Sequence, residues 1–306
     1  MTLQQALDSF ILEQRLRGNT DKTISNYQWV LSRFCDWLVA QKISKAKHVT
    51  LTHAQQYQLY LDSKESDSIE GAKLTKRTVQ TYMRHVRIFL RFCYHEGFIK
   101  QPIHEKLRLP KAERPMIEIL TDAEVDAILA TFSKSENGLR NRAIVCLLLD
   151  CGLRISEVAK IKTADVNFEK GYMKVVGKGR KERIVPVGLK VRRLMLAYVH
   201  KRRIADDPDD DAYFFLNKLR KPLGKEAVKT LMTRLKIRAG IPRLHAHLFR
   251  HTFATNFLVN QLGDIYELSR LLGHTETKTT EVYLNIASYY MIIEKKRRKT
   301  YLDLQT

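Results

Sequence analysis

Between Leu109 and Pro115 the apolar periodicity of the preceding chain stops. Pro110 and Pro115 stand there, with Lys111, Glu113 and Arg114 between them. Proline cannot continue a helix and biases the residue before it toward extended backbone, so this stretch reads as a linker. A chain of 306 residues suits two domains of roughly 100–200 residues each. The expected division is therefore 1–108, a linker at 109–116, and 117–306. Just past the linker, Thr121 and Glu124 have capping-box spacing ahead of Val125, Ile128 and Leu129, so a helix begins there.

Residues 1–108 read as helices. Thr2 and Gln5 fit a capping box. From Thr23 onward, Ile24, Tyr27, Leu31, Phe34 and Leu38 recur at helical spacing and define one buried stripe. A third helix is expected from Thr52 to Leu61, and the polar, acidic Ser63–Gly71 reads as a loop. A fourth runs from Thr75 to His95 with Val79, Met83, Val86, Leu90 and Cys93 on one face. Its opposite face carries Lys76, Arg77, Arg84, Arg87 and Arg91. A charged face is usually just solvated, but here nearly every charge is positive, which makes the face a candidate DNA contact.

In the second part, Ala143–Leu149 is apolar almost without break and predicts a central buried helix that Gly152 ends. Strands are expected at Val166–Phe168, Tyr172–Val176 and Arg183–Val187, joined by turns at Glu169–Gly171 and Gly177–Lys181. Asp206, Asp207, Asp209, Asp210 and Asp211 around Pro208 read as a solvated turn, because a calcium loop's central glycine and final glutamate are missing. Tyr213–Leu216 reads as strand-like. Helical patterns then continue to the end. The fold class is mainly α: a helical N-terminal domain plus a mixed α/β domain with a small antiparallel sheet.

Charge narrows the partners. Lys and Arg number 54 against 33 Asp and Glu, a net of +21. Residues 1–108 hold 17 basic and 10 acidic side chains and the remainder 37 and 23, so both parts are basic. Such a surface attracts polyanions, and nucleic acid is the expected one because each neutralised phosphate releases counterions. Cys35, Cys93, Cys146 and Cys151 form no C-x-x-C pair, and read as reduced thiols of a cytoplasmic protein. No apolar signal segment starts the chain, and no run approaches the ~18 apolar residues of a membrane span.

Four segments carry candidate chemistry. They are Cys151–Glu157, Gly177–Arg183, His247–His251, and Leu272, Gly273 and His274 followed nine residues later by Tyr283. Lys178 is not in a phosphate-cradling P-loop, since no Gly-Lys-Ser/Thr stands there. His247 and His251 are four apart, as a helical metal pair would be. The metalloprotease form needs Glu after the first His, and Leu248 is there, so no metal is expected.

Taken together, in this order and at these separations, the segments resemble the tyrosine recombinase (phage integrase) family, of Xer-like or transposon-integrase type. The resemblance covers about 117–306 by motif, and it likens 1–108 to the family's core-binding, DNA-binding domain by pattern alone. It implies Arg154 and Arg250 as the clamp on the scissile phosphate, Lys178 as general acid for the leaving 5′ oxygen and His247 as proton acceptor. It also implies His274 as a phosphate hydrogen-bonder, Tyr283 as nucleophile and Glu157 as a supporting acid. The chemistry is consistent with those types. Guanidiniums offer fixed cationic forks to phosphate oxygens, and a phenol of pKa about 10 needs help to lose its proton. A 3′-phosphotyrosine conserves the bond energy, so no cofactor is expected. The implied partner is double-stranded DNA with a specific core site, on which the protein self-associates as a tetrameric synapse; the terminal helix after Tyr283 is a candidate for exchange between subunits. Tyr289, Tyr290 and Tyr301 are competing C-terminal tyrosines whose context fits less well. A type IB-like DNA topoisomerase would share this logic without exchanging partners. A non-catalytic DNA-binding regulator would lack at least one of these residues, and none is missing.

Overall fold

The computed structural model describes residues 1–66, 69–112, 117–177, 179, 181–203, 213–274, 276 and 278–298. It divides into two compact units, Met1–Pro115 and Met116–Thr306.

The first unit is built from α1 (Leu3–Leu16), α2 (Asp21–Ala40), α3 (Leu51–Ser63), α4 (Lys76–His95) and the single turn α5 (Ile103–Lys106). Helix starts follow capping chemistry. Thr2, Thr20, Thr50 and Thr75 each accept the N3 backbone N–H, one of the four that an α-helix leaves without an i−4 partner at its start. The apolar stripes meet in one core where Phe10 packs edge-on against Tyr27, Phe89 and Phe92. On α4, Val79, Met83, Val86, Phe89, Leu90 and Cys93 are buried, while Lys76, Arg77, Arg84, Arg87 and Arg91 are exposed on the other side.

The segment read as a loop contains a short antiparallel pair instead, β1 (Glu65–Ser66) with β2 (Ile69–Lys73), in register Glu65↔Lys73 and Ser66↔Ile69. Its polarity misled because two short strands at a surface need no alternating apolar face.

The second unit opens with α6 (Asp122–Ala130), capped reciprocally by Thr121 and Glu124, and the buried α7 (Glu136–Cys151). After the turn α8 (Ile155–Val158) come β3 (Val166–Asn167), β4 (Tyr172–Val176) and β5 (Glu182–Pro186), an antiparallel sheet in the order β3-β4-β5. The helices α9 (Leu189–Arg203), α10 (Lys225–Arg238), α11 (Ala246–Val259), α12 (Ile265–Leu272) and α13 (Lys278–Arg298) complete it. Tyr213–Leu216 forms no strand. Tyr213 and Leu216 make isolated bridges to Lys162 and Pro222, and Phe214 and Phe215 are buried against Tyr198, so packing rather than sheet pairing explains their apolarity. The aspartate-rich 206–211, linker residues 113–116 and Lys178 lie outside the described residues. The four cysteines are free; Cys35, Cys93 and Cys151 are buried, and Cys146 is half-buried. Among the described residues no helix is long and apolar enough to cross a membrane.

Candidate active site

Two left-handed glycines and one helix end assemble the pocket. Gly152 ends α7 at φ +59°, where a Cβ would stand 2.4 Å from Phe253 Cδ1, so only glycine fits. The chain then turns and sets Arg154 as the N-cap of α8. Its backbone N–H donates to Glu157 Oε2 at 2.8 Å, and its Nη1 to Oε1 at 3.0 Å. From β5, Arg183 closes on the same carboxylate at 2.9 Å through each Nη. Glu157 is buried.

Helix α12 ends at Gly273, φ +63°. Its last carbonyls have no donor within the helix and lie at the negative end of its dipole, so guanidiniums suit them. Leu272 O accepts from Arg154 Nη1 at 3.3 Å and Arg250 Nη2 at 2.8 Å, and Leu271 O accepts from Arg183 Nε at 2.7 Å. Arg250, 3% exposed, also donates Nη1 to Gly152 O at 2.7 Å.

Helix α11 presents His247, Arg250 and His251 one turn apart on one face. Arg250 Nη2 lies 2.9 Å from His274 Nε2. Arginine cannot accept, so Nε2 does; the neutral ring then carries its proton on Nδ1 and donates it to Thr280 Oγ1 at 2.7 Å. Tyr283, on α13, is 4% exposed, and its hydroxyl sits 2.8 Å from His251 Nδ1. His247 is one turn back, its ring centroid 6.3 Å from that of His251.

Of the residues singled out in the sequence, Arg154, Glu157, Arg250 and His274 are thus tied together, and His247 and Tyr283 meet His251. Lys178 lies outside the described residues. Its neighbour Gly177 is beside the pocket, where a Cβ would stand 3.6 Å from Glu157 Oε1. The α4 cations belong to the other unit. Tyr289 is exposed, Tyr290 packs against the Tyr283 cluster, and Tyr301 lies outside the described residues. Arg183, His251 and Thr280 had no assigned role in the sequence reading. The first two stand inside the quoted motifs, but their partners are 26 and 32 positions away; Thr280 opens the Thr-Glu-Val-Tyr context of Tyr283, where no role of its own was legible.

The pocket holds Arg154, Arg183 and Arg250 against the single carboxylate of Glu157. Burial pushes Glu157 up, but hydrogen bonds from Arg183 and the Arg154 backbone, with both guanidinium charges, leave it below its ordinary value. Burial and then the Arg154 charge lower Arg250 to about 10. His251 falls to about 4 through burial, then His247, His245 and Arg250; His274 falls to about 4 through burial, then Arg250, Arg154 and Arg183. His247 is also lowered, by burial first and Arg250 next. Burial raises the Tyr283 phenol, while Arg250 and Arg154 pull it down. A pocket that resists further protons and holds excess positive charge is complementary to an anion with developing negative charge. Among the described residues no group of three or more His, Cys, Asp or Glu stands together as a metal site.

A buried tyrosine hydroxyl stands in the same pocket as an arginine cluster suited to an anionic group. Comparison with known proteins gives the class its name. Residues 118–289 match the phage integrase family, and residues 2–109 the phage integrase SAM-like domain. The chain belongs to the phage integrase family and is a tyrosine site-specific recombinase. It is 30% identical over 311 residues to tyrosine recombinase XerC of Bacillus pumilus, covering 99% of this chain and 97% of that one. It is 31% identical over 280 residues to XerD of Staphylococcus saprophyticus, covering 89% and 90%. Among solved structures it is similar in fold to a lambda integrase dimer bound to a core site, with a TM-score of 0.71, 18% identity and coverage of 92% and 95%. It is likewise similar to the Tn1549 transposon integrase in complex with transposon right end DNA, with a TM-score of 0.70, 20% identity and coverage of 98% and 99%.

Proposed function

We propose that this chain binds double-stranded DNA at a specific core site and that Tyr283 attacks a phosphodiester there, leaving a 3′-phosphotyrosyl bond that a partner strand later resolves. The observation that carries this reading is the placement of the Tyr283 hydroxyl, shielded from water, in the same pocket as Arg154 and Arg250. In-line attack puts negative charge on the non-bridging oxygens, and the two guanidiniums are held in advance by backbone carbonyls and Glu157. Such preorganised donors are the largest part of catalysis in comparable sites. His274 is assigned to the phosphate site, which in this arrangement it serves by accepting from Arg250 at Nε2 and so orienting that guanidinium. His247, at the family position for the proton acceptor, faces the same pocket from α11. Lys178, which falls between β4 and β5 in the sequence, is assigned as general acid to the 5′ oxygen.

Residues 1–108 are assigned as the core-binding domain, 109–116 as the linker and 117–306 as the catalytic domain. The exposed cations Lys76, Arg77, Arg84, Arg87 and Arg91 are assigned to DNA phosphates. The Tn1549 integrase is held on transposon end DNA and the lambda integrase as a dimer on a core site, which supports self-association on DNA; a tetrameric synapse and work in the cytoplasm are part of the same proposal. The SAM-like match before the family match favours a recombinase over a type IB-like topoisomerase.

The test is a nicked suicide duplex carrying a core site taken from DNA flanking the gene. Wild-type protein is expected to leave an SDS-resistant protein–DNA adduct and Tyr283→Phe none. An adduct with Tyr283→Phe overturns the choice of nucleophile. Relaxation of supercoiled plasmid lacking the site supports the topoisomerase instead.

A further inference from the structure

The phenol proton must leave before or as the tyrosine attacks, and the structure bears on where it goes. Tyr283 is buried among Ala254, Phe257, Leu268, Leu272 and Ile286, so bulk water is a poor sink. Among the described residues, the group within hydrogen-bond reach of its hydroxyl is Nδ1 of His251, at 2.8 Å. His247 stands one helical turn away. No carboxylate among the described residues is bonded to either partner; Glu157 is committed to Arg154 and Arg183.

We propose that His251, rather than His247, is the catalytic residue that takes the proton from the Tyr283 hydroxyl, because it is His251 that stands within hydrogen-bond reach of it. This rests on the recombinase reading above. The step balances without a further reactant. The Tyr283 O–H breaks and its proton bonds to Nδ1 of the neutral His251 ring, which already carries a proton on Nε2. The phenolate oxygen bonds to phosphorus as the bond to the 5′ oxygen breaks, and that oxygen takes a proton from the general acid. On religation His251 returns its proton to the departing tyrosine.

Three features of the geometry serve this role. His251 and Arg250 are adjacent on α11, so one helix holds both the proton acceptor and the clamp in a fixed relation. The hydroxyl and the acceptor belong to α11 and α13, which pack together, so one subunit supplies both. Burial first, and then His247, His245 and Arg250, keep His251 unprotonated near neutral pH, leaving its Nδ1 lone pair free to accept.

The experiment measures adduct formation on the nicked duplex with His251→Asn and His251→Ala. The Asn side chain keeps a hydrogen-bond acceptor near the hydroxyl but cannot take the proton. It is expected to fold, as judged by circular dichroism, and to form adduct roughly 10²–10⁴ times more slowly than wild type. His251→Ala is expected to be as slow, and added imidazole to restore part of its rate, which a purely structural role would not allow. Wild-type rates with His251→Asn overturn the proposal, even if His251→Ala fails to fold. So does a folded His251→Ala that imidazole leaves unchanged. If wild-type protein itself yields no adduct, the recombinase reading has failed, and that result is distinct from a His251 variant matching an active wild type.

Discussion

Arg183 and Glu157 meet fork to fork, Nη1 to Oε1 and Nη2 to Oε2, each at 2.9 Å, with the carboxylate side chain 2% exposed. The same guanidinium reaches Leu271 O, and the same carboxylate holds Arg154. One buried pair therefore joins the hairpin strand, the arginine after α7 and the end of α12. Glu157→Ala would leave two guanidiniums without their counter-charge, and removing one partner of a buried pair costs about 3–5 kcal/mol. Arg183→Lys keeps the charge but loses the fork, and is expected to slow adduct formation while the unit stays folded. Both tryptophans, Trp29 and Trp37, lie in the first unit, so unfolding of the second is best followed by hydrogen exchange of α7 and α11.

The pocket histidines make stability depend on pH. In the folded chain His251 and His274 lie at about 4, and their ordinary value is 6.5. Above pH 6.5 the rings are neutral folded and unfolded, and their contribution is level. As pH falls from 6.5 toward 4 the unfolded chain takes up protons that the pocket refuses, so stability falls. Glu157, held below its ordinary 4.5, adds a stabilisation present above that value and lost as pH falls through its folded value. Urea unfolding of the second unit at pH 7.5, 6 and 5 should give a steadily lower midpoint, and His274→Asn a shallower decline.

Thr280 is fully buried and accepts from His274 Nδ1, fixing which ring nitrogen faces Arg250. Thr280→Val matches its shape but cannot accept. It is expected to fold and to form adduct at least about tenfold more slowly, by analogy with the 10–100-fold cost of losing a histidine's orienting partner in metal sites. Thr280→Ser should retain most of the rate. Equal rates for the two variants would show that the contact does not orient the ring.

The exposed α4 cations carry a prediction about salt. Replacing Arg84, Arg87 and Arg91 with Gln leaves the buried face of α4 untouched. If each meets a phosphate, the slope of log affinity against log salt should fall by about 0.9 per contact. Fluorescence anisotropy with a labelled duplex at several salt concentrations reads that slope. An unchanged slope removes this face from the DNA contact.

The amino-acid sequence by itself determined the helices with clear stripes, the caps at Thr2 and Thr121, the stop at Gly152 and the hairpin strands to within a residue, because those depend on neighbours a few positions away. Its motifs, through their resemblance to the tyrosine recombinase family, also implied Arg154, Lys178, His247, Arg250, His274 and Tyr283 as the site residues. Only the tertiary structure decided that Arg183 closes on Glu157, that Thr280 orients His274 and that His251, rather than His247, touches the Tyr283 hydroxyl. His247 and His251 are chemically identical and one turn apart on α11. The choice between them depends on where α13 lies against that helix, and the buried packing of Tyr283 with Ala254, Leu268 and Leu272 sets that position.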